Sequence, residues 1–307
     1  MNRILRIGTR DSRLAMWQAN LVKDELQKAG ISTEIVPIKS DGDIDLVTPL
    51  YAMGVQGVFT KALDSVLLSN RIDIAVHSMK DVPTLLAQGI TQAAVLKRAS
   101  YKDLFVYKND TDFLNDAESI ATIATSSIRR KAQWLHRYPN HSIENLRGNV
   151  ITRLKKVADS NWKGAIFAAA GLERIDERPA NAIELDWMLP APAQGAIMIV
   201  CREDDTDAKE KCALLNDSIT ALCAKAERDF LSTLMGGCST PISALAEVQN
   251  GILHFKGCIH SLDGNDFITA ETQCAADEAV NTGISMGKEV LQKGGLNIVE
   301  AIRNATR

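Results

Sequence analysis

Through the first two-thirds of this chain, short β-branched runs alternate with stretches of helical periodicity, and that rhythm narrows the possible folds more than any other feature. Arg3–Thr9 reads as a strand. An amphipathic helix follows, with Leu14, Trp17, Leu21 and Leu26 assigned to one face and Gly30 as its stop. Thr33–Lys39 reads as a strand, Thr60–Asn70 as a helix, and Ile72–His77 as an apolar strand whose one charge is Asp73. A fresh cycle runs through Leu104–Tyr107, Ile120–Thr125 and a helix over Ser127–Tyr138 ended by Pro139. It continues with a helix after Asn149 and the strand Gly164–Ala170. This βαβα order predicts an α/β fold of two similar domains, with parallel or mixed sheets covered by helices on both faces. Ala196–Cys201, after Pro190-Ala191-Pro192, reads as a strand returning to the first domain.

From Asp217 the pattern changes. A long helix runs to Met235 and breaks at Gly236-Gly237; strands then follow at Ser243–Val248, Ile252–Ile259 and Phe267–Gln273. Turns at Asn250-Gly251 and Asp263-Gly264 predict an antiparallel sheet, and a helix from about Ala275 to Lys293 covers it. The expected division is a first domain over 1–98 and 193–216, a second over 99–192, and a third, α+β domain over 217–307. The connection 40–59, with Gly42, Pro49, Gly54 and Gly57, is long for a compact domain and reads as a lid or as an inserted surface loop.

A net charge of −3 argues against a general nucleic-acid binder, so anion binding must come from locally gathered Arg and Lys. The amino-terminal run from Met1 to Gly8 has no h-region or cleavage site, and no apolar stretch approaches the ~18 residues that span a bilayer. A cytoplasmic location without a membrane partner is the expectation. Cys201, Cys212, Cys223, Cys238, Cys258 and Cys274 form no C-x-x-C pair, and the histidines form no H-x-x-x-H motif. Neither a metal site nor a disulfide framework is therefore expected, and most of the thiols should pack as small apolar groups.

Three strand ends feed polar, arginine-bearing turns that open helices: Thr9-Arg10-Asp11-Ser12, Thr125-Ser126-Ser127-Ile128-Arg129-Arg130, and Arg147-Gly148-Asn149 with Arg153 a turn farther on. Free N–H groups at a helix start, with hydroxyls and guanidinium groups beside them, suit a carboxylate or phosphate. For any one turn, capping and surface ion pairing explain the same residues. Three at the carboxyl ends of parallel strands favour a site for an anionic small molecule. His77-Ser78-Met79-Lys80-Asp81-Val82-Pro83 closes another strand; Lys80 and Asp81 there read either as an ion pair or as a substrate anchor beside a proton-transferring carboxylate. Gly236-Gly237-Cys238-Ser239-Thr240-Pro241 presents a thiol on a loop, either as a buried structural cysteine or as a nucleophile or attachment point.

These motifs carry a resemblance. Asp73 to Pro83, Thr125 to Arg130, Leu146-Arg147-Gly148-Asn149, Ala170-Gly171-Leu172-Glu173-Arg174 and Gly236-Gly237-Cys238 with Pro241-Ile242 occur in the order seen in the porphobilinogen deaminase family, and the chain resembles it along nearly its whole length. The resemblance implies two domains similar to type II periplasmic binding domains, and a third carrying the cofactor loop. It implies a monomeric transferase with hydroxymethylbilane synthase activity, which polymerises four porphobilinogen units with loss of ammonia. The implied primer is a dipyrromethane held by a thioether at Cys238.

By position, the resemblance implies that Lys80, Asp81, Ser126, Ser127, Arg129, Arg130, Arg147 and Phe59 serve the cofactor. Arg10, Ser12, Thr125, Arg147, Arg153 and Arg174 would serve substrate, with Asp81 as catalytic group. The chemistry agrees: one carboxylate can supply a proton to the leaving amine and stabilise the azafulvenium cation left behind. Acetate and propionate groups on each pyrrole call for several cationic anchors. Arg129 and Arg130, adjacent on a helix, are expected to clamp different carboxylates. The chain departs from the family in the lid, where Ala52 and Gln56 stand in place of frequent lysines, which puts the lid's carboxylate contacts in doubt. Two rival readings are a plain anion-binding protein and a catalytically lapsed relative.

Overall fold

The computed structural model describes residues 3–39, 60–116, 118–234 and 240–305. The expected lid 40–59 with Phe59, and the attachment residue Cys238, lie outside these described residues.

In chain order the elements begin with β1 (Leu5–Arg10), α1 (Arg13–Lys28), β2 (Thr33–Ile38), α2 (Lys61–Leu68), β3 (Ile74–Ser78) and β4 (Ile90–Val95). Next come β5 (Asp103–Tyr107), β6 (Thr122–Ala124), α3 (Ile128–Arg137), β7 (Ser142–Glu144), α4 (Val150–Asp159), β8 (Gly164–Ala168), α5 (Ala169–Glu173) and β9 (Ala182–Glu184). The chain continues through β10 (Ile197–Arg202), α6 (Thr206–Ala213), α7 (Ser218–Thr233), β11 (Ile242–Gln249), β12 (Ile252–His260) and β13 (Phe267–Ala275). It closes with α8 (Thr282–Val290) and α9 (Leu296–Ala305).

The chain divides into two compact units. One contains the described residues up to Ala99, with Gln194–Leu222; the other contains Ser100–Ala193 and the described residues of Cys223–Arg307. In the first unit the sheet order is β2-β1-β3-β10-β4, with β1 parallel to β2 and β3 and the returning β10 antiparallel to both its neighbours. The second unit holds a sheet of order β7-β6-β8-β5-β9, also mixed, and an antiparallel sheet β11-β12-β13. The fold is thus α/β, with two mixed sheets of like order and a separate antiparallel sheet carrying helices. At the β11–β12 turn Asn250 (φ 52°) and Gly251 (φ 79°) are both left-handed, the geometry a two-residue hairpin needs.

Helix α1 corrects the expected face. Its buried stripe is Ala15, Gln18, Ala19, Val22 and Leu26, while Trp17 is exposed and Leu14 half-buried. Small Ala15 and Ala19 set the packing face, and the bulkier neighbours turn outward. The expected single helix from Ala275 to Lys293 is also broken. Ala276–Asn281 is a 3-10 turn ahead of α8, while Gly294 (φ 106°), just past the expected end, separates that helix from α9. Strands β4, β7 and β9, which periodicity did not single out, complete the sheets.

Asp73, the lone charge before β3, is fully buried and belongs to an ionic cluster. Its carboxylate accepts from the Arg6 backbone N–H and Nε at 2.8 and 2.9 Å, and also pairs with Arg3, which in turn reaches Asp205 at 2.8 Å. Burial alone raises the Asp73 carboxyl, but the Arg6 and Arg3 hydrogen bonds outweigh it and hold it well below its ordinary 3.8. A depressed carboxyl stabilises the fold above its unfolded value and loses that contribution as pH falls toward the folded one. Asp73→Asn should therefore cost about 3 kcal/mol at pH 7. In urea unfolding, the deficit against the parent should shrink as pH drops below 3.8; a gap independent of pH would contradict the assignment.

Candidate active site

In the first unit, the carboxyl ends of the parallel strands β1 and β3 gather three residues that the sequence singled out, Arg10, Ser12 and Asp81, with further polar neighbours. Arg10, Ser12, Gln18, Thr60, His77, Ser78 and Asp81 line one small cavity of about 70 Å³. Ser12 caps α1 by accepting from the Ala15 N–H at 3.3 Å, so its hydroxyl has the capping role considered beside ligand binding. Asp81 ends a 3-10 turn, Met79–Asp81, that follows β3 directly. Buried Met79 and Val82 anchor that turn on either side, and the Val82 N–H closes it onto the Met79 carbonyl at 3.2 Å. Lys80 Nζ donates to Gln194 Oε1 at 3.2 Å.

Gln18, Thr60, His77 and Ser78 are not among the sequence-predicted site residues, and two of them stand out. Gln18, almost wholly buried on α1, donates to the Ser78 hydroxyl at 2.9 Å. His77 is buried, and its Nε2 has no hydrogen-bond partner among the described residues. Burial, reinforced by the Arg10 charge, pulls its pKa down to about 4, so the imidazole is neutral at neutral pH. Gln18 sits at the buried-stripe spacing with Ala15 and Val22; a polar residue in that stripe was the available signal.

In the second unit, the turn after β6 opens α3, and Ser127 caps that helix from the Arg130 N–H at 3.4 Å. The Thr125 hydroxyl accepts from the Ser127 N–H at 3.2 Å, and that of Ser126 accepts from the Leu146 N–H at 3.0 Å. Arg129 and Arg130 share one partner within the chain: both reach Asp103, a buried carboxylate on β5. Arg130 donates to it through Nε at 3.0 Å and Nη2 at 2.7 Å, while Arg129 Nη2 lies 2.8 Å from its other oxygen. A strand charge far away in sequence thus takes one hand of each arginine.

Two guanidinium groups against one carboxylate leave this cluster with net positive charge. Burial, opposed by Asp103 and reinforced by Arg130, lowers the pKa of Arg129. Its Nε is buried without a hydrogen-bond partner among the described residues. Excess buried cation and an unused donor are what a carboxylate-bearing cofactor would satisfy.

The turn after β7 places Arg147, buried, ahead of the Asn149 cap, which accepts from the Thr152 N–H at 2.9 Å. Gly148 (φ 115°) is required between them, since a Cβ there would lie 2.9 Å from the Thr152 methyl. Arg153 Nε donates to the Gly148 carbonyl at 2.7 Å. Arg174 ends α5, and burial, only partly offset by Glu173, brings its pKa down to about 10. Each of these arginines is thus fixed by its turn or helix, and Arg147 is withdrawn from solvent.

Comparison with known proteins sets this arrangement in a class and then a family. A family model described as "Porphobilinogen deaminase, dipyromethane cofactor binding domain" matches residues 5–210, which makes the chain a tetrapyrrole-forming transferase. A second, "Porphobilinogen deaminase, C-terminal domain", matches residues 221–292, and the chain belongs to the porphobilinogen deaminase family. It is an enzyme that polymerises porphobilinogen into hydroxymethylbilane with a dipyrromethane cofactor. Among solved structures it is similar to an ancestral cationic amino acid solute-binding protein, at 13% identity over 69% of this chain and 87% of that one, with a TM-score of 0.43. An ABC-transporter periplasmic substrate-binding protein from Coxiella burnetii is 15% identical over 73% and 97%, with a TM-score of 0.42. Among the described residues, no helix is long and apolar enough to cross a membrane.

Proposed function

We propose that Asp81 is the catalytic group of this transferase and that Cys238 holds the cofactor through a thioether. The observation that carries the first assignment is the cavity at the ends of β1 and β3, where Asp81 shares a small polar pocket with Arg10, Ser12 and Gln18. Asp81 delivers a proton to the departing amine and then, as a carboxylate, faces the cation that ammonia leaves behind. In a pocket with little water, a fixed negative charge favours that developing cation more than solvent does. Arg10 and Ser12 bind a carboxylate of the incoming pyrrole, with Thr125, Arg147, Arg153 and Arg174 as further substrate contacts.

The cofactor supplies a primer to which successive pyrroles are joined. Lys80, Ser126, Ser127, Arg129, Arg130, Arg147 and Phe59 hold its acidic side chains and rings. The net positive charge of the Arg129–Arg130–Asp103 cluster supports that role. Three other thiols are poor tethers: burial pushes Cys212 and Cys258 up to about 12 and raises Cys201. We further propose that the enzyme works as a cytoplasmic monomer of three domains, bounded at 1–98 with 193–216, 99–192 and 217–307.

Intact-mass measurement of the purified chain, paired with turnover of porphobilinogen, tests the reading. The expected result is a mass in excess of the bare chain by two linked pyrroles, together with formation of the linear tetrapyrrole. A bare mass with turnover would end the covalent assignment. A loaded chain without turnover would end the catalytic one.

A further inference from the structure

Gln133 lies one helical turn after Arg129 on α3, and its amide is fully used. Nε2 donates to the Leu189 carbonyl and to the Ser243 hydroxyl, each at 2.9 Å, and Oε1 accepts from the Leu189 N–H at 2.8 Å. Both backbone groups of Leu189 are therefore bound by one side chain. The same Leu189 carbonyl accepts from Arg129 Nη1 at 2.8 Å. Arg129 is thus held at two points, Asp103 on one side and Leu189 on the other, and Gln133 sets where the second lies. Ser243 stands on β11, five residues after Cys238 in the chain. The amide thereby joins the helix of Arg129 to the strand that follows the proposed attachment residue in sequence.

We infer that Gln133 is a positioning residue: by gripping Leu189 it holds the buried Arg129 guanidinium in the orientation that receives a cofactor carboxylate. This rests on the proposed reading of Arg129 as a cofactor-binding residue. A hydrogen bond weakens steeply as its geometry departs from ideal, so the orientation of this buried side chain decides whether its unused donor meets an acceptor. Neutral helical glutamines carry no motif, and only the shared Leu189 carbonyl reveals the link.

The test combines Gln133→Met, which matches the length and removes all three hydrogen bonds, with Gln133→Glu, which keeps an acceptor for the Leu189 N–H. The Leu189–Pro190 segment stays tied to β11 in both variants, because the Ala244 N–H donates to the Pro190 carbonyl at 3.1 Å. Two readouts are taken: the fraction of purified chain carrying the dipyrromethane mass, and kcat/KM for porphobilinogen. We expect both variants to load less cofactor and to lose about tenfold in kcat/KM. In an Arg129→Leu background, Gln133→Met should change neither readout by more than about twofold, since the two residues act through one path. If Arg129→Leu impairs both readouts while the Gln133 variants match the parent, or if their effects multiply, the positioning role is wrong and the reading of Arg129 survives. If Arg129→Leu alone loads and turns over like the parent, that reading fails and the inference with it.

Discussion

Asp81→Asn is expected to lower kcat by roughly 10²–10⁴-fold, the range over which a positioned acid–base group contributes. Asparagine matches the shape of aspartate, so the 3-10 turn, with Met79 and Val82 buried around it, should keep its geometry. What disappears is the transferable proton and the negative charge. KM should move far less, because the proposed carboxylate anchors Arg10 and Ser12 are untouched. That split separates a chemical role from a binding one. Asp81→Glu, which restores the charge one methylene out of place, should recover part of the lost rate. A kcat for Asp81→Asn equal to the parent's would remove Asp81 from the mechanism. A large KM effect with kcat preserved would make it a binding residue instead.

The carboxyl-edge location of the site was legible because strand periodicity and helix-capping residues coincide there. Ser12, Ser127 and Asn149 each stand between a strand and a helix, and each caps in the structure. What those turns hold was less legible, because it depends on partners distant in sequence. Arg129 and Arg130 read as two free clamps until Asp103, on another strand, engages both. Asp73 is conspicuous in an apolar run, yet nothing local indicates that Arg3 and Arg6 neutralise it. The face of α1 is less legible, because periodicity puts Leu14 and Trp17 on the packing side. Close packing against a sheet instead selected Ala15 and Ala19 and left Trp17 outside. Gln18 and Gln133 escaped for a related reason: a neutral amide becomes informative only when its partners are known.

Cys238→Ser is expected to abolish stable priming, so that the purified variant shows the mass of the bare chain and forms no measurable tetrapyrrole. The argument turns on which sulfur can act. Attachment forms a C–S bond as the C–N bond to the departing ammonia breaks, and the thiol proton leaves with the amine. A thiolate or an accessible thiol is needed for this. Cys201, Cys212, Cys223 and Cys258 are buried, and desolvation keeps the thiols of Cys201, Cys212 and Cys258 protonated at neutral pH. Cys274 is half-buried, its sulfur 3.4 Å from the Thr282 hydroxyl, and it is the appropriate control. Cys274→Ser should carry the full added mass and turn over normally. Serine at 238 offers a far weaker nucleophile, and an ether would form too slowly to replace the tether. Peptide mapping of the parent should find the added pyrroles on the segment containing Cys238. If Cys238→Ser retained the mass, the map would identify the true attachment point and the proposed tether would be excluded. If it lost the mass but still made tetrapyrrole at the parent's rate, a covalent primer would not be required for the reaction.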